Sequence, residues 1–298
     1  MASLTLKSLA KLNLYLKVGN KRPDGYHNLV TLFERIDLCD DIKFTVTNSG
    51  RIRLFCSHPQ VPIGPKNLIY RTARLLQAEL SVSKGVDVHI TKRIPVAAGL
   101  AGGSSNAAAT LIGLNKLWKL KLSREKLAAY GKRIGADVPF FLYDTPWALG
   151  TERGDRIEKL KIKPRLWHVL VVPRMKMYTR NVFENLKLPA SASANPGGRT
   201  NVLTKNSDNV NILIRNLRNK KISVVGSLLR NDLEISVFQL CPKLEKIKEY
   251  IRRLNTLGVS LSGSGPSIFG LTDSQKQAEY LKSMLGKRYS RVFVVQTH

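Results

Sequence analysis

The sequence predicts an α+β fold in two domains. Segments that alternate apolar and polar residues, as strands do, are mixed with segments of helical periodicity at hairpin-like spacing. The 298 residues are long for one compact domain, and 43% of them are hydrophobic, which is enough for a core in each half. The pattern changes near Lys161. We therefore predict an N-terminal domain over 1–155 and a C-terminal domain over 156–298.

The N-terminal half contains most of the strand signal. Alternation runs through the first 60 residues and is broken by the turn-rich GNKRPDGYHN. Helical periodicity begins near Asn67, and the strand-like GVDVHITKRIPVA follows it. A second helix is predicted in SREKLAAYGKRIG, with Ser123 as its N-cap and Gly135 at its end. The next residues, ADVPFFLY, are predicted to be extended.

The C-terminal half has a different order of signals. LWHVLVVP is typical of a buried strand, and QLCPKLEKIKEYIRRLNTLG contains a helix. VSLSGSGPSIFGL predicts two strands joined by a glycine turn. We expect these strands to form a second sheet.

The most informative segment, PVAAGLAGGSSNAAA from Pro95 to Ala109, joins a predicted strand to an apolar helical stretch. Glycines let backbone N–H groups approach an anion, and the first turn of a helix adds unpaired N–H donors. The segment has neither the GxxxxGK[ST] of a Walker A loop nor the GxGxxG of a dinucleotide fold. It predicts a phosphate cradle of another kind. The alternative is a flexible loop followed by a helix whose N-cap is Ser104 or Ser105. Such a segment would need no ligand.

The charge and the cysteines narrow the class of protein. The net charge of +28 is spread along the chain, without zinc fingers or basic motifs interleaved with aromatics, so we do not expect nucleic acid as a partner. No apolar stretch approaches the ~18 residues of a membrane span, and the N-terminus lacks a signal-peptide pattern. Cys39, Cys56 and Cys241 are scattered, so we predict a cytoplasmic protein without a cysteine metal site.

Three polar groups are candidates for chemistry. Lys11 and Asn13 are two apart on a predicted strand, so their side chains share a face. Tyr26 and His27 lie in a turn and could stack on and hydrogen-bond a flat heterocycle. Asp137 follows a helix end among small apolar residues, a position that suits a carboxylate held near a cation.

Taken together, these segments resemble the GHMP kinase superfamily. The resemblance rests on KLNLYLKVGNKRPDGYH, PVAAGLAGGSSNAA, GADVPFF and SGSGPSIF, and it extends through NLIYRTARLL, ALGTERGDRIEKL and the LLRNDLE segment. It implies a two-domain fold with an N-terminal domain like ribosomal protein S5 and a C-terminal ferredoxin-like domain. It also implies a small-molecule kinase. The narrower match is to members that act on a cytidine diphosphate-linked acceptor in isoprenoid precursor synthesis.

The resemblance implies roles for individual residues. Asp137 corresponds to the family's base and Lys11 to the lysine beside it, while Asn13 would position the acceptor. Tyr26, His27 and, on a looser local match, Phe183 would form the cytidine pocket. The predicted ATP-binding residues are Asn67, Leu68, Ile69, Lys92, Pro95, Gly99, Leu100, Ala101, Gly102, Gly103, Ser104 and Ser105. Ser262–Ser267 would be a second glycine loop. ATP and Mg²⁺ are the implied donor and cofactor, and no residue is assigned as a metal ligand.

Two departures from the family pattern stand out. Ala97, Ala98 and Ala101 replace glycines of the phosphate loop, where a methyl group hinders positive φ, and Glu152 stands where many relatives have glycine. Two other functions remain open at this point: another GHMP kinase of the homoserine or mevalonate type, and a basic nucleic-acid-binding protein on the same fold.

Overall fold

The computed structural model describes residues 1–186 and 202–298, which form two β-sheets and the helices packed on them. The strands are β1 (Ser3–Lys21), β2 (His27–Thr47), β3 (Ile52–Cys56), β4 (Gly85–Thr91), β5 (Trp147–Thr151), β6 (Arg156–Lys159), β7 (Trp167–Val171), β8 (Arg230–Asn231), β9 (Gly258–Leu261), β10 (Ile268–Thr272) and β11 (Val292–Gln296). The helices are α1 (Leu68–Glu79), α2 (Gly102–Leu117), α3 (Arg124–Ile134), α4 (Val138–Leu142), α5 (Thr179–Glu184), α6 (Val202–Arg218), α7 (Ile222–Ser227), α8 (Glu234–Leu240), α9 (Pro242–Arg252) and α10 (Gln275–Gly286).

The first sheet is built around the long antiparallel pair β1 and β2. Its order is β3-β4-β2-β1-β8, and β5 pairs with the start of β2 while β4 pairs with its end. Side chains from this sheet and from α1 to α4 form one core, which includes Phe44, Val88, Leu111 and Phe140. The helices therefore pack on one face of the sheet, where α2 carries the predicted phosphate loop.

The second sheet has the strand order β11-β7-β10-β9, with all neighbours antiparallel. Along the chain, β7 is followed by helices, then by β9 and β10, then by α10 and β11, which is the βαββαβ arrangement of ferredoxin-like domains. The α+β class is confirmed by these two sheets.

The two sheets share a core. On β7, Val169 and Val171 face a cluster formed with α9 and α10, whereas Leu170 packs with side chains of β1 and β2. His168 Nε2 lies 2.8 Å from Glu34 Oε2, and both side chains are fully buried. Alternate residues of β7 thus pack against α9 and α10 on one face and against the first sheet on the other, because successive side chains of a strand point to opposite faces.

The predicted starts of two helices are confirmed. Asn67 is the N-cap of α1 and accepts a hydrogen bond from the Ile69 amide, and Ser123 caps α3 through the Lys126 amide. The prediction for ADVPFFLY was wrong, because the segment contains the five-residue helix α4. Pro139 lies in the first turn of α4, where proline has no amide to lose and a favourable φ.

The predicted division at residue 155 stays a prediction. The strand that follows it, β6, still pairs with β5 in the first sheet, and β8 from the C-terminal half pairs with β1. Over the described ranges, none of the helices combines the length and the apolar character needed to cross a bilayer.

Candidate active site

A cleft of about 1070 Å³ brings together most of the residues singled out in the sequence. Its walls come from β1, the turn before β2, the segment from Pro95 to Ser104, the start of α4, and α5. The predicted residues that line it are Lys11, Asn13, Tyr26, His27, Asn67, Leu68, Lys92, Pro95, Gly99, Leu100, Ala101, Gly102, Gly103, Ser104, Asp137 and Phe183. Segments far apart in the chain thus meet in one concave site.

The N-terminus of α2 opens into this cleft without a side-chain cap. The helix begins at Gly102, and its N-cap residue is Ala101, which has a φ of 54° and makes no capping hydrogen bond. Neither Ser104 nor Ser105 caps the helix, because both lie inside its first turn. The first amides of α2 are therefore free to bind an anion, and the dipole of this 16-residue helix favours a negative charge there.

Two predicted ATP-binding residues do not line the cleft. Ile69 is a core residue only 1% exposed, and its amide donates to Asn67 Oδ1 at 2.8 Å. Ser105 is buried, accepts a hydrogen bond from the Ser8 hydroxyl at 2.7 Å, and its amide donates to Ala101 O. The assignment of these two residues to ATP binding stays a prediction, and the hydrogen bonds show that both residues also have partners within the fold.

Two of the three loop alanines adopt glycine-like conformations. Ala97 has a φ of 53° and Ala101 a φ of 54°, both in the left-handed region, whereas Ala98 does not have a positive φ and is buried. Glu152, the other departure from the family pattern, also has a left-handed φ, of 60°. The loop therefore keeps a glycine-like backbone at Ala97 and Ala101 and contains the strain of a Cβ at each of them.

Lys92 lies at the edge of the cleft but has its own partner. Its ammonium group is 2.9 Å from Asp40 Oδ2, and both side chains are almost fully buried. Asp40 also accepts hydrogen bonds from the amides of Arg93 and Ile94. Burial lowers the pKa of Lys92, and Asp40 opposes that shift. The pair anchors the chain where it enters the phosphate loop.

Lys11 and Asp137 form an ion pair in the cleft. Lys11 Nζ is 3.9 Å from Asp137 Oδ2, with side-chain exposures of 4% and 35%. The same ammonium donates to Asn13 Oδ1 and to Gly99 O, so it also joins β1 to the phosphate loop. Burial lowers the pKa of Lys11 below 10.5, while the Asp137 carboxylate opposes this change.

Asn13 is oriented by a chain of hydrogen bonds. Its amide donates to Thr31 Oγ1 at 2.7 Å, and the Thr31 hydroxyl donates to Tyr15 O at 2.9 Å. The register of β1 and β2 shifts between Asn13 and Tyr15. After this irregularity Leu16 lines the cleft, whereas Tyr15 joins the core between the sheets.

The side chains of Tyr26, His27 and Phe183 form one end of the cleft, here called the aromatic end. His27 and Phe183 stack with centroids 5.4 Å apart, and Tyr26 is 55% exposed beside them. The guanidinium of Arg153 lies 5.1 Å from the centre of the Tyr26 ring and is paired with the buried Asp155. Burial, and secondarily the positive charge of Lys21, lowers the pKa of His27. A flat heterocycle could stack here beside an exposed tyrosine and a neutral imidazole.

The second glycine loop, Ser262–Ser267, packs against the first. The Ser262 hydroxyl donates to Gly99 O at 3.0 Å, and the Ser267 amide donates to Ala98 O at 3.3 Å. Gly263, Ser264 and Gly265 line the cleft. This loop therefore borders the cleft, and its part in ligand binding stays a prediction.

Some residues that line the cleft were not predicted from the sequence. Thr179, at the start of α5, hydrogen-bonds the Ser264 hydroxyl at 2.9 Å and connects α5 to the second loop. Among the described residues, six cationic and two acidic side chains line the cleft: Lys11, Lys21, Lys66, Lys92, Arg153, Arg180, Asp137 and Glu184. The excess of positive charge suits a polyanionic ligand. The scattered lysines and arginines offered no local signal, because only folding brings them together.

Matches to known proteins agree with this geometry. Residues 67–145 match the model for the GHMP kinases N terminal domain, and residues 213–291 match the model for GHMP kinases C terminal. The 4-diphosphocytidyl-2-C-methyl-D-erythritol kinase of Exiguobacterium sibiricum is 37% identical over 294 residues, covering 99% of this chain and 98% of the relative. That of Geobacter metallireducens is 39% identical over 278 residues, covering 93% and 92%.

The chain belongs to the 4-diphosphocytidyl-2-C-methyl-D-erythritol kinase family of GHMP kinases. A crystal structure of 4-(cytidine 5'-diphospho)-2C-methyl-D-erythritol kinase superposes with a TM-score of 0.77 at 30% identity, covering 98% of each chain. A homoserine kinase from Cytophaga hutchinsonii reaches 0.74 at 19% identity, covering 100% of this chain and 95% of its own, which shows the shared fold alone. The GHMP fold and a small-molecule kinase activity are thereby established for this chain.

Proposed function

We propose that this protein transfers the terminal phosphoryl group of ATP to the 2-hydroxyl group of 4-diphosphocytidyl-2-C-methyl-D-erythritol, in the methylerythritol phosphate pathway to isoprenoid precursors. The observation that carries the proposal is that one cleft contains the bare N-terminus of α2, the Lys11–Asp137 pair and the His27–Phe183 stack. The names of the relatives support the same acceptor.

The donor side of the cleft is the phosphate loop. Free amides at the start of α2 would bind the ATP phosphates, with the glycines allowing close backbone approach. Asn67 and Leu68, at the start of α1, would border the adenine. Lys66 is a further cation next to them. These contacts would fix the terminal phosphate towards Lys11.

The reacting groups would meet between Lys11 and Asp137. The acceptor hydroxyl oxygen forms a bond to the γ-phosphorus, the bond from that phosphorus to the β–γ bridging oxygen breaks, and ADP leaves. Asp137 accepts the hydroxyl proton, while the Lys11 ammonium stabilises the charge on the transferred group. Because phosphoryl transfer depends mainly on positioning and electrostatics, the fixed Lys11 ammonium is as important as the proton acceptor.

The acceptor side would use the aromatic end. Tyr26 and Phe183 would stack on the cytosine, and His27 would hydrogen-bond its edge. Asn13, held by Thr31, would orient the hydroxyl group. The cationic side chains of Lys21 and Arg153 lie in the same cleft and suit the diphosphate that links cytidine to the acceptor.

Mg²⁺ is proposed as the cofactor that accompanies ATP. Mg²⁺ prefers oxygen ligands and is commonly held through one or two carboxylates together with substrate phosphates. Over residues 1–186 and 202–298 no group of three or more His, Cys, Asp or Glu side chains could hold a metal ion by itself. The cleft would fit the phosphate-dependent mode, in which the ATP phosphates provide most of the ligands and Ser104 would supply a further oxygen. When bound, Mg²⁺ supplies charge neutralisation on the phosphates.

A cytoplasmic location is also proposed. Cys39, Cys56 and Cys241 are free thiols, in keeping with a reducing compartment. That nucleic acid is not a partner stays a prediction.

The acceptor is tested with purified protein, Mg-ATP and three candidate substrates. We expect ADP release and a new phosphomonoester signal by ³¹P NMR with 4-diphosphocytidyl-2-C-methyl-D-erythritol, and neither with homoserine nor with mevalonate. Turnover of homoserine or mevalonate alone would assign the chain to another GHMP kinase activity. Absence of turnover with every acceptor would contradict the proposal.

Variants separate the roles of the two ends of the cleft. Asp137→Asn should lower kcat by about 10²–10⁴-fold, the usual range for a lost acid–base group, and Lys11→Met by about 10²–10³-fold, as for a lost group that stabilises transition-state charge. Tyr26→Ala with His27→Ala should instead raise KM for the cytidine acceptor. Glu125→Gln, an exposed carboxylate on α3, is the matched control and should match the wild type. A kcat unchanged in Asp137→Asn would remove that residue from the mechanism.

A further inference from the structure

The helix that carries Asp137 is too short to be stable alone. α4 has five residues, and isolated helices shorter than about 12 residues are marginal in water. Asp137 precedes its first residue and makes no side-chain capping hydrogen bond there. The carboxylate is free for the cleft, but its position depends on whatever holds α4.

Arg35 of β2 contacts the opposite end of α4. Its Nη2 atom donates to Tyr143 O at 2.5 Å and lies 3.4 Å from Phe140 O. Its guanidinium carbon is 5.4 Å from the centre of the Phe140 ring. The last carbonyl groups of a helix have no partner within it and carry partial negative charge, so a guanidinium stabilises that end.

The same strand pair that carries Lys11 thus fixes α4. Arg35 lies directly opposite Lys11 in the β1–β2 register. Phe33, two residues earlier on β2, stacks on Phe140 with centroids 4.8 Å apart, and Lys11 Nζ lies 5.9 Å from the centre of the Phe33 ring. Two side chains of β2 therefore set where α4 stands relative to Lys11.

We infer that Arg35 is a positioning residue of the kinase, which holds α4 so that Asp137 stays within ion-pair distance of Lys11. Arg35 touches neither member of the pair through its side chain in the contacts described. It acts through the carbonyls of Phe140 and Tyr143. The inference rests on the proposed function, because it concerns the same reacting groups.

The cost of burying Arg35 agrees with such a role. Its side chain is only 8% exposed, and burial lowers its pKa to about 10, with Asp144 opposing the shift. Its Nε has no partner in the part of the chain that the structure describes. A buried guanidinium is expensive to desolvate, and an apolar side chain of similar volume would cost less there.

Arg35→Met tests the inference, because methionine keeps the aliphatic stem and removes every donor. We expect kcat to fall about 10- to 100-fold, as for a small misplacement of reacting groups, with KM for ATP and for the acceptor within about twofold. Arg35→Lys, which can donate to one carbonyl, should recover part of kcat. Arg53→Met removes an exposed arginine of β3 and is the matched control.

A second readout is independent of turnover. Asp137 raises the pKa of Lys11, so moving Asp137 away should lower that pKa further in Arg35→Met, measured by NMR of ¹³C-labelled lysine. An unchanged Lys11 pKa and an unchanged kcat in the folded variant overturn the inference. If Arg35→Met does not fold, the same two measurements on Arg35→Lys decide. If the wild type phosphorylates none of the acceptors, the proposed function fails, yet the Lys11 pKa still tests the role of Arg35.

Discussion

His27 and Phe183 stack with ring centroids 5.4 Å apart and planes inclined by 25°. His27 begins β2 in the first sheet, whereas Phe183 lies on α5, after the first strand of the second sheet. The stack therefore connects the two halves of the molecule at the end of the cleft. An acceptor base bound there would contact both halves at once.

Phe183→Ala should weaken binding of the cytidine acceptor without affecting ATP. A base–aromatic stacking contact contributes about 1–3 kcal/mol, which corresponds to a rise in KM for the acceptor of about 5- to 150-fold. Steady-state kinetics with each substrate varied separately would measure it. The chain offers a matched control in Phe55, which stacks on His89 with centroids 4.5 Å apart and lies outside the cleft. Equal effects of Phe183→Ala and Phe55→Ala, or an equal rise in KM for ATP, would contradict the prediction.

Protonation of His27 at low pH should weaken binding of the cytidine acceptor. The pKa of His27 lies below 6.5, because burial and then the charge of Lys21 disfavour the imidazolium ion, so the ring is neutral near pH 7. KM for the acceptor should rise as the pH falls through this pKa. Lys21→Ala removes a repulsive charge and should raise the His27 pKa. The rise in KM for the acceptor should then begin at a higher pH. NMR titration of the imidazole, with exposed Lys132→Ala as control, checks the sign, and an unchanged or lowered pKa would refute it.

Replacing Ala101 by glycine should stabilise the protein. The φ of 54° costs alanine about 1–2 kcal/mol relative to glycine, and the extra chain entropy of glycine offsets about 0.5–1 kcal/mol of this. The free energy of unfolding in urea should therefore rise by about 0.5–1 kcal/mol. Ala98→Gly in the same loop is the control and should be destabilising, since Ala98 is buried without a positive φ. Stabilisation by both substitutions would argue against backbone strain as the cause.

Gly99→Ala should disrupt the contact between the two glycine loops. A Cβ on Gly99 would collide with the carbonyl oxygen of Ser262, in addition to the strain of its φ of 76°. Gly25→Ala carries the strain of a φ of 83° but has no atom within 4 Å of the new Cβ. In urea unfolding we expect a loss of about 1–2 kcal/mol for Gly25→Ala and a further 1–3 kcal/mol for Gly99→Ala. Equal losses would show that the close approach of the loops is unimportant.

Local patterns in the sequence were enough for much of the fold. Ser123 caps α3 as its side chain predicted, and α1 begins near Asn67 as its periodicity predicted, because caps and periodicity depend on residues close together in the sequence. ADVPFFLY was misjudged as extended, since five residues are too few to show helical periodicity and α4 is held by Arg35 and Phe33. Ile69 and Ser105 were assigned to the site by motif, although core contacts already use their polar groups.

The sequence by itself determined the α+β class, the strand–loop–helix unit around Gly99, and the family to which its motifs point. The tertiary structure alone decided that Lys11 stands 3.9 Å from Asp137 and that His27 meets Phe183. It also decided that Ala97 and Ala101 take the left-handed conformation. The physical reason is the range of the interactions. Caps and turns depend on neighbours in the chain, whereas the cleft is formed by packing between segments whose separation along the sequence leaves no local signal.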